Sequence, residues 1–324
     1  MALRWDDPKL AVKSDDRRTF KHRLLQSWYR EEVLGAEPGV YTPSGKPRRV
    51  LGSLLRGDDL KFRPELNFLN VEAFNHAIER IAAVHEAGGT LEPRRLKENM
   101  LSSMPACFNL FGALRSQPQF LDLVRQTLDP LATAIVRVDC EWAPPPGDAL
   151  SDKTAFDAVL VTEREDGSTH LIGIETKYTE PFSTTEYPAD KYRKTHDECG
   201  WFHPDSAETL VGAATNQLWR NTLLAAACEM NGYASSASVA VVALADDSKV
   251  ESAMAGLRDA LHEPEVRCAA VPFERFIDVA RYLGGPVAAW ANQFERRYLD
   301  LGPIRDVEAD LYACLGRALI DDGP

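Results

Sequence analysis

Between residues 156 and 177 the chain reads F-D-A-V-L-V-T-E-R-E-D-G-S-T-H-L-I-G-I-E-T-K, two apolar runs on either side of a polar turn. Runs rich in Val, Ile, Leu and Thr and bounded by turn residues predict a β-hairpin, with strands over residues 155–163 and 169–178. The Asp166-Gly167 pair supplies the positive φ that a tight reversal requires. With the turn centred on Asp166, Asp157 and Glu175 each lie nine residues from it and face each other across the ladder. Directly opposed residues share a sheet face, with Cβ atoms roughly 5 Å apart. Lys177, two residues beyond Glu175, shares that face. A one-residue slip in register would send the two acids to opposite faces.

Two neighbouring carboxylates at the edge of an apolar sheet repel each other and need a cation or a proton. A hard divalent ion meets that need. Mg²⁺ takes one or two protein carboxylates, keeps several waters and completes its shell with phosphate oxygens. Such an ion polarises a phosphoryl oxygen and acidifies a bound water. Lys177 is then placed to orient or help deprotonate the attacking water, or to offset charge on phosphorus. The competing reading is a solvated hairpin with charged strand ends. Against it, Glu175 follows Leu171-Ile172-Gly173-Ile174 and precedes Tyr178, a run that looks buried. Acid–base chemistry on a small molecule is a further reading, and it would suit acids on opposite faces.

Around the hairpin the pattern alternates helices and strands. Phe20, Leu24, Leu25 and Trp28 mark an amphipathic helix, and residues 35–47, rich in Gly and Pro, read as a loop. A helix is predicted over 64–87, with Phe74, Ala77, Ile78, Ile81 and Val84 as its stripe and Gly88-Gly89 as its end. A second runs over 94–104, is kinked or broken by Pro105 and resumes over 106–114; a short one covers 119–128. Residues 133–142 read as a strand stopped by Pro144-Pro145-Pro146-Gly147. After the hairpin, residues 179–204 are polar, and 26 residues is long for a structureless connection, which favours function or a hidden small element. Asp205 and Glu208 resemble a capping pair opening a helix that runs to Met230. Residues 238–245 form an all-apolar strand expected at the sheet centre, followed by a helix over 248–261, a strand over 266–271 and further helices. The fold class is therefore α/β, a mixed sheet with the order α-β-β-β-α-β, and a right-handed crossover would set the last of these strands beside the three-stranded meander.

The D…E-T-K arrangement on paired strands resembles the catalytic core of the PD-(D/E)XK nuclease superfamily. I-G-I-E-T-K-Y-T-E-P-F over 172–182 and E-N-M-L-S-S-M-P-A-C-F-N-L-F-G over 98–112 resemble a bacterial restriction-endonuclease-like branch of it. The resemblance covers residues 98–245, and Phe156 stands where the family's name has proline. It implies a restriction-endonuclease-like core and a metal-dependent endonuclease that hydrolyses phosphodiester bonds, DNA first among nucleic acids, in a restriction or defence system. Asp157 and Glu175 would hold Mg²⁺, with Mn²⁺ as its substitute, and Lys177 would be the catalytic amine. A glutamate on the helix before the sheet often joins the metal site in this superfamily, which implies a role for Glu98. The superfamily also contains members that have lost cleavage, so a nucleic-acid- or protein-binding module stays open as the alternative. The expected organisation is a helical extension over residues 1–90, the nuclease-like core over 91–272 and a second helical extension over 273–324.

Other residues are weighed on their own pattern. Gln217 lies in phase with the apolar stripe of the helix after the hairpin, and a buried glutamine needs partners, such as a substrate phosphate or a catalytic acid. Arg220 and Asn221 follow at helical spacing and could do the same. Glu141 reads as a solvated strand end sooner than a site residue, and Glu180 as a neighbouring acid or a loop acid. His196, Cys199 and His203 supply three ligand types without finger spacing, which argues against zinc. Lys191, Arg193 and Lys194, interleaved with Tyr187 and Tyr192, suit either nucleic-acid contact or an ordinary loop.

At 324 residues and 44% hydrophobic, the chain can bury one large core or two small ones. Its net charge of −12 opposes phosphate binding, but residues 1–63 hold 14 Lys and Arg against 9 Asp and Glu. That basic start reads as a nucleic-acid arm or as a solvated helix and loop. The six cysteines are scattered without a C-x-x-C pair and read as reduced core residues. No early apolar run resembles a signal peptide and no stretch approaches the ~20 apolar residues of a membrane span. The expected location is the cytoplasm, with no membrane partner and a homodimer left open.

Overall fold

The computed structural model of the chain describes residues 10, 12, 15–42, 48–145, 150, 154–183, 185–187, 190–212 and 214–305. Its strands are β1 (Pro38–Tyr41), β2 (Arg49–Leu55), β3 (Ala134–Trp142), β4 (Phe156–Glu163), β5 (Thr169–Thr176), β6 (Ser236–Ala243) and β7 (Cys268–Pro272). The helices before the large sheet are α1 (Arg17–Trp28), α2 (Asp59–Phe62), α3 (Val71–Glu86), α4 (Pro93–Glu98), α5 (Ser103–Cys107) and α6 (Phe120–Thr127). Those after the hairpin are α7 (Asp190–Glu198), α8 (Ala207–Leu210), α9 (Asn216–Met230), α10 (Ser248–Ala260), α11 (Pro264–Arg267), α12 (Phe273–Leu283) and α13 (Gly285–Tyr298). None of the described helices is long and apolar enough to cross a membrane.

The large sheet has the order β3-β4-β5-β6-β7. β3, β4 and β5 form an antiparallel meander, while β5, β6 and β7 run parallel through the crossovers of α9 and α10. The expected α-β-β-β-α-β order therefore holds, and β6 is internal as its continuous apolar sequence requires. In the hairpin, Ala158 pairs with Ile174 and Val159 with Gly173, so the register is centred on Asp166 as the turn chemistry predicts. Gly167 takes φ +78° in that turn.

Side-chain alternation sorts the sheet onto two cores. Ala158, Leu160, Ile172, Ile174, Ala240 and Val242 face α3, α5, α6, α12 and α13. Val159, Val161, Leu171, Val239 and Val241 face α7, α9 and α10, where Tyr192, Trp201 and Trp219 fill the layer. A third set of contacts ties in the N-terminal helix. The Tyr178 hydroxyl accepts from Gln26 Nε2 (3.0 Å), lies 3.0 Å from His22 Nδ1 and donates to the Tyr298 carbonyl (3.2 Å). Gln26 also donates to the Arg297 carbonyl at 2.6 Å.

Several local expectations need correction. The helix foreseen over 64–87 starts at Val71, because Asn70 caps it through the Ala73 N–H. The next helix breaks at Asn99, before Pro105. Asn99 is extended (φ −89°, ψ 99°) and bridges to Leu54, and Pro105 sits in the first turn of α5, where a missing N–H is harmless. The segment read as a loop over 35–47 carries β1, short and glycine-containing, which pairs with β2. The polar stretch over 179–204 holds α7 as its hidden element. Asp205 does not cap a helix: it has φ +67°, and α8 and α9 form separately. Residues 306–324, including Cys314, and the tripeptide's Pro146 lie outside the described residues.

Two predictions follow from this packing. Phe156 lies across Gly173, where a Cβ would meet the ring's Cδ1 and Cζ at 2.6 Å, and it stacks on Trp142. Gly173→Ala should destabilise the fold by about 1–3 kcal/mol in urea unfolding, since the ring is backed by packed core. Burial lowers the pKa of both His22 and His170 to about 4. Both are therefore neutral when folded, and the unfolded chain binds the extra protons between about pH 6.5 and 4. Stability should be fully present above pH 6.5 and fall as pH drops towards 4, by up to about 3 kcal/mol per histidine. His170→Gln should flatten that slope in pH-dependent unfolding curves.

Candidate active site

The site lies at the ends of β3, β4 and β5, beneath α9. Glu175 is buried, and both of its oxygens are engaged. Lys177 Nζ approaches Oε1 at 2.8 Å, Gln217 Nε2 donates to Oε1 at 2.6 Å and Asn221 Nδ2 donates to Oε2 at 2.6 Å. Gln217 and Asn221 are one turn apart on α9, so one helix face grips both oxygens. Lys177 is 6% exposed, donates to Gln217 Oε1 at 3.2 Å and lies 4.8 Å over the Phe182 ring. Its pKa is raised: burial opposes its charge, but the Glu175 and Asp157 carboxylates outweigh that cost.

Asp157 is half-buried and accepts from the Thr176 N–H through Oδ2 at 2.7 Å. Its backbone carbonyl takes a 3.3 Å bond from the Cys107 thiol of α5. Burial pushes its pKa well above the usual carboxylate range, and the charges on Glu175 and Glu141 push in the same direction. Glu141 carries the same signature, with its pKa raised to about 7 by burial, by Cys140 and by Glu175. The pairs Cys140↔Ala158 and Trp142↔Phe156 bracket Glu141 against Asp157. Glu141, Asp157 and Glu175 thus lie on three adjacent strands at one end of the sheet.

The structure brings Asp157, Glu175, Lys177 and Gln217 together. Asn221, expected beside Gln217 as a partner for a phosphate or a catalytic acid, joins them through Glu175, and Glu141, expected as a solvated strand end, lies opposite Asp157. The signal for Asn221 was its i+4 spacing from Gln217; for Glu141 it was the register of β3 against β4. Glu98 is not brought to this group. Its carboxylate pairs with Arg94 at 2.8 Å, one turn back on α4, and the chain leaves the helix directly after it. Glu180 instead caps α5, accepting from the Ser103 N–H at 2.9 Å and from Arg95 at 3.0 Å. Tyr192 is not available for base stacking: it is buried edge-on against Trp219. Arg193 pairs with Glu208, and Arg220 lies 4.0 Å over the Tyr187 ring. His196 stacks on Phe202 and its Nδ1 accepts from Trp219 Nε1 at 3.2 Å.

The donors at the strand ends are carboxylate oxygens, the set a hard divalent cation prefers. Among the described residues no group of three or more His, Cys, Asp and Glu side chains is gathered to hold a metal ion unaided. Two carboxylates with water and phosphate completing the shell fit that arrangement. Charge supports the same fit, since a cation would relieve the repulsion that raises Asp157 and Glu141.

Comparison with curated proteins and with solved structures gives no match. A family model described as the PD-(D/E)XK nuclease superfamily matches residues 13–300. With that match across most of its length, on a five-stranded mixed sheet of the expected topology, the chain belongs to the PD-(D/E)XK nuclease superfamily.

Proposed function

We propose that the protein is a Mg²⁺-dependent endonuclease that hydrolyses phosphodiester bonds in DNA, with Asp157 and Glu175 holding the ion and Lys177 as the catalytic amine. Superfamily membership suggests a nuclease. The observation that carries the finer reading is the convergence of Asp157, Glu175 and Lys177 at one sheet end, with Lys177 2.8 Å from Glu175. A bound divalent ion would supply charge for a phosphoryl oxygen and a more acidic water. The chain's own residues do the rest. Gln217 and Asn221 fix the Glu175 carboxylate in one orientation, which spares reorganisation during reaction. Lys177, held charged by its acidic neighbours, offsets negative charge developing on phosphate. Asp157 is held by the Thr176 N–H through Oδ2.

DNA as substrate, a place in a restriction or defence system and a cytoplasmic location rest on the resemblance of residues 98–112 and 172–182 to the restriction-endonuclease-like branch. The free cysteines among the described residues suit a reducing compartment. A homodimer belongs to the same reading. One observation favours a second one, a binding module without cleavage: both Glu175 oxygens already have protein partners.

The experiment is a cleavage assay on single- and double-stranded DNA and RNA with Mg²⁺ or Mn²⁺. Glu175→Ala and Lys177→Ala should each reduce cleavage by at least about 100-fold, the scale of losing a positioned charge at a reacting centre. Cleavage that persists in either variant overturns the assignment, and binding without cleavage in the parent protein favours the second reading. Gln217→Ala should lower cleavage about tenfold or more by removing one of the two donors on Glu175 Oε1 and the acceptor of Lys177. Glu98→Ala should leave it within about twofold if the Arg94 pair is its whole role.

A further inference from the structure

Glu141 has φ +50°, one of two non-glycine residues among those described with a positive φ. A side chain in that region costs on the order of 1–3 kcal/mol and persists only where its surroundings hold it. The surroundings here are two residues of α3, one turn apart. Arg80 Nε donates to the Cys140 carbonyl at 2.7 Å and its Nη2 to the Glu141 carbonyl at 2.9 Å. His76 Nε2 accepts from the Cys140 N–H at 3.0 Å. One guanidinium thus grips successive carbonyls with its fork, while the imidazole holds the amide before them. At this point β3 changes its facing: Cys140 packs in the core under α3 and Trp142 in the core under α9. The reversal leaves Glu141 between the two cores, opposite Asp157.

We infer that Arg80 is a positioning residue for the candidate active site: its two bonds to the β3 backbone hold Glu141 in the left-handed conformation that sets it opposite Asp157 at the strand end. The inference rests on the reading of Asp157 and Glu175 as the ion-holding pair. A third carboxylate need not touch the ion, because Coulomb attraction falls only as the inverse of distance. It deepens the negative potential at the strand ends and favours entry of a divalent cation. Arg80 touches neither ion nor substrate; it holds the backbone of residue 141, and its charge also acts on the Glu141 carboxylate.

The test uses the full chain with Arg80→Ala, Arg80→Lys, Glu141→Gln and the double variant Arg80→Ala/Glu141→Gln. Lysine keeps the charge but lacks the fork, so Arg80→Lys guards against loss of folding in the alanine variant. Crystal structures read the positioning without any metal: φ of residue 141 should relax to negative values in both single Arg80 variants. A retained positive φ overturns the inference. Calorimetric titration with Mn²⁺ reads the consequence. Arg80→Ala and Glu141→Gln should each weaken binding about 10-fold or more, and the double variant should be no weaker than Glu141→Gln alone. Multiplying losses, or parental affinity in Glu141→Gln, overturn it as well. If the parent protein binds no Mn²⁺, the ion-holding reading fails, while the φ of residue 141 still decides the role of Arg80.

Discussion

Repulsion between carboxylates at the end of an apolar sheet is the constraint around which the rest of the molecule is organised. Glu175 is balanced in full: an ammonium and two amide donors cover its oxygens. Asp157 is balanced in part, by one backbone N–H. Glu141 has a bond to its backbone carbonyl and feels Cys140 and Glu175 on one side of the balance and Arg95 and Arg80 on the other. The compensation is therefore most complete at Glu175, beneath α9. Asp157 and Glu141, with raised pKa, favour a proton, and a bound cation would take the proton's place.

Holding such charges close demands rigidity, and the sheet supplies it by being packed on both faces. β5 and β6 are parallel neighbours flanked by the two large cores, so neither can slip without moving apolar residues into the wrong layer. Gly173 and Phe156 refine this: the missing side chain lets an aromatic ring lie flat on β5 directly before Asp157. The phenylalanine where the family's name has proline thus has a packing role of its own.

The hairpin was legible in the sequence because its signals are local. Period-two apolar runs and an Asp-Gly turn set the register, and the register set the face of Asp157, Glu175 and Lys177. The strand order was legible for the same reason, since β6 ends in an unbroken apolar run over residues 239–243. What was not legible depends on distant partners. β1 and β2 are a short pair that the glycines and prolines around them disguised as a loop. The break after Glu98 comes from a bridge to Leu54, 45 positions earlier in the chain, and no propensity rule anticipates it. Glu141 looked like a solvated strand end because the residues that turn it inward, His76 and Arg80, belong to a helix some 60 residues away. Tyr192 looked like a surface aromatic because α7 was hidden in a polar stretch.

The Tyr178 anchor has a consequence for how the molecule comes to life. Tyr178 directly follows Lys177, and its hydroxyl is held by residues 22 and 26 on one side and by residue 298 on the other. These contacts span 156, 152 and 120 positions along the chain. Long-range closures are the slow steps of folding, because chain entropy is spent before such contacts return any stability. During synthesis residues 22 and 26 are made first, but the contact with residue 298 waits for α13, the last long helix described. The setting of the residue beside Lys177 is therefore completed only when helices from both ends of the described chain have closed on it.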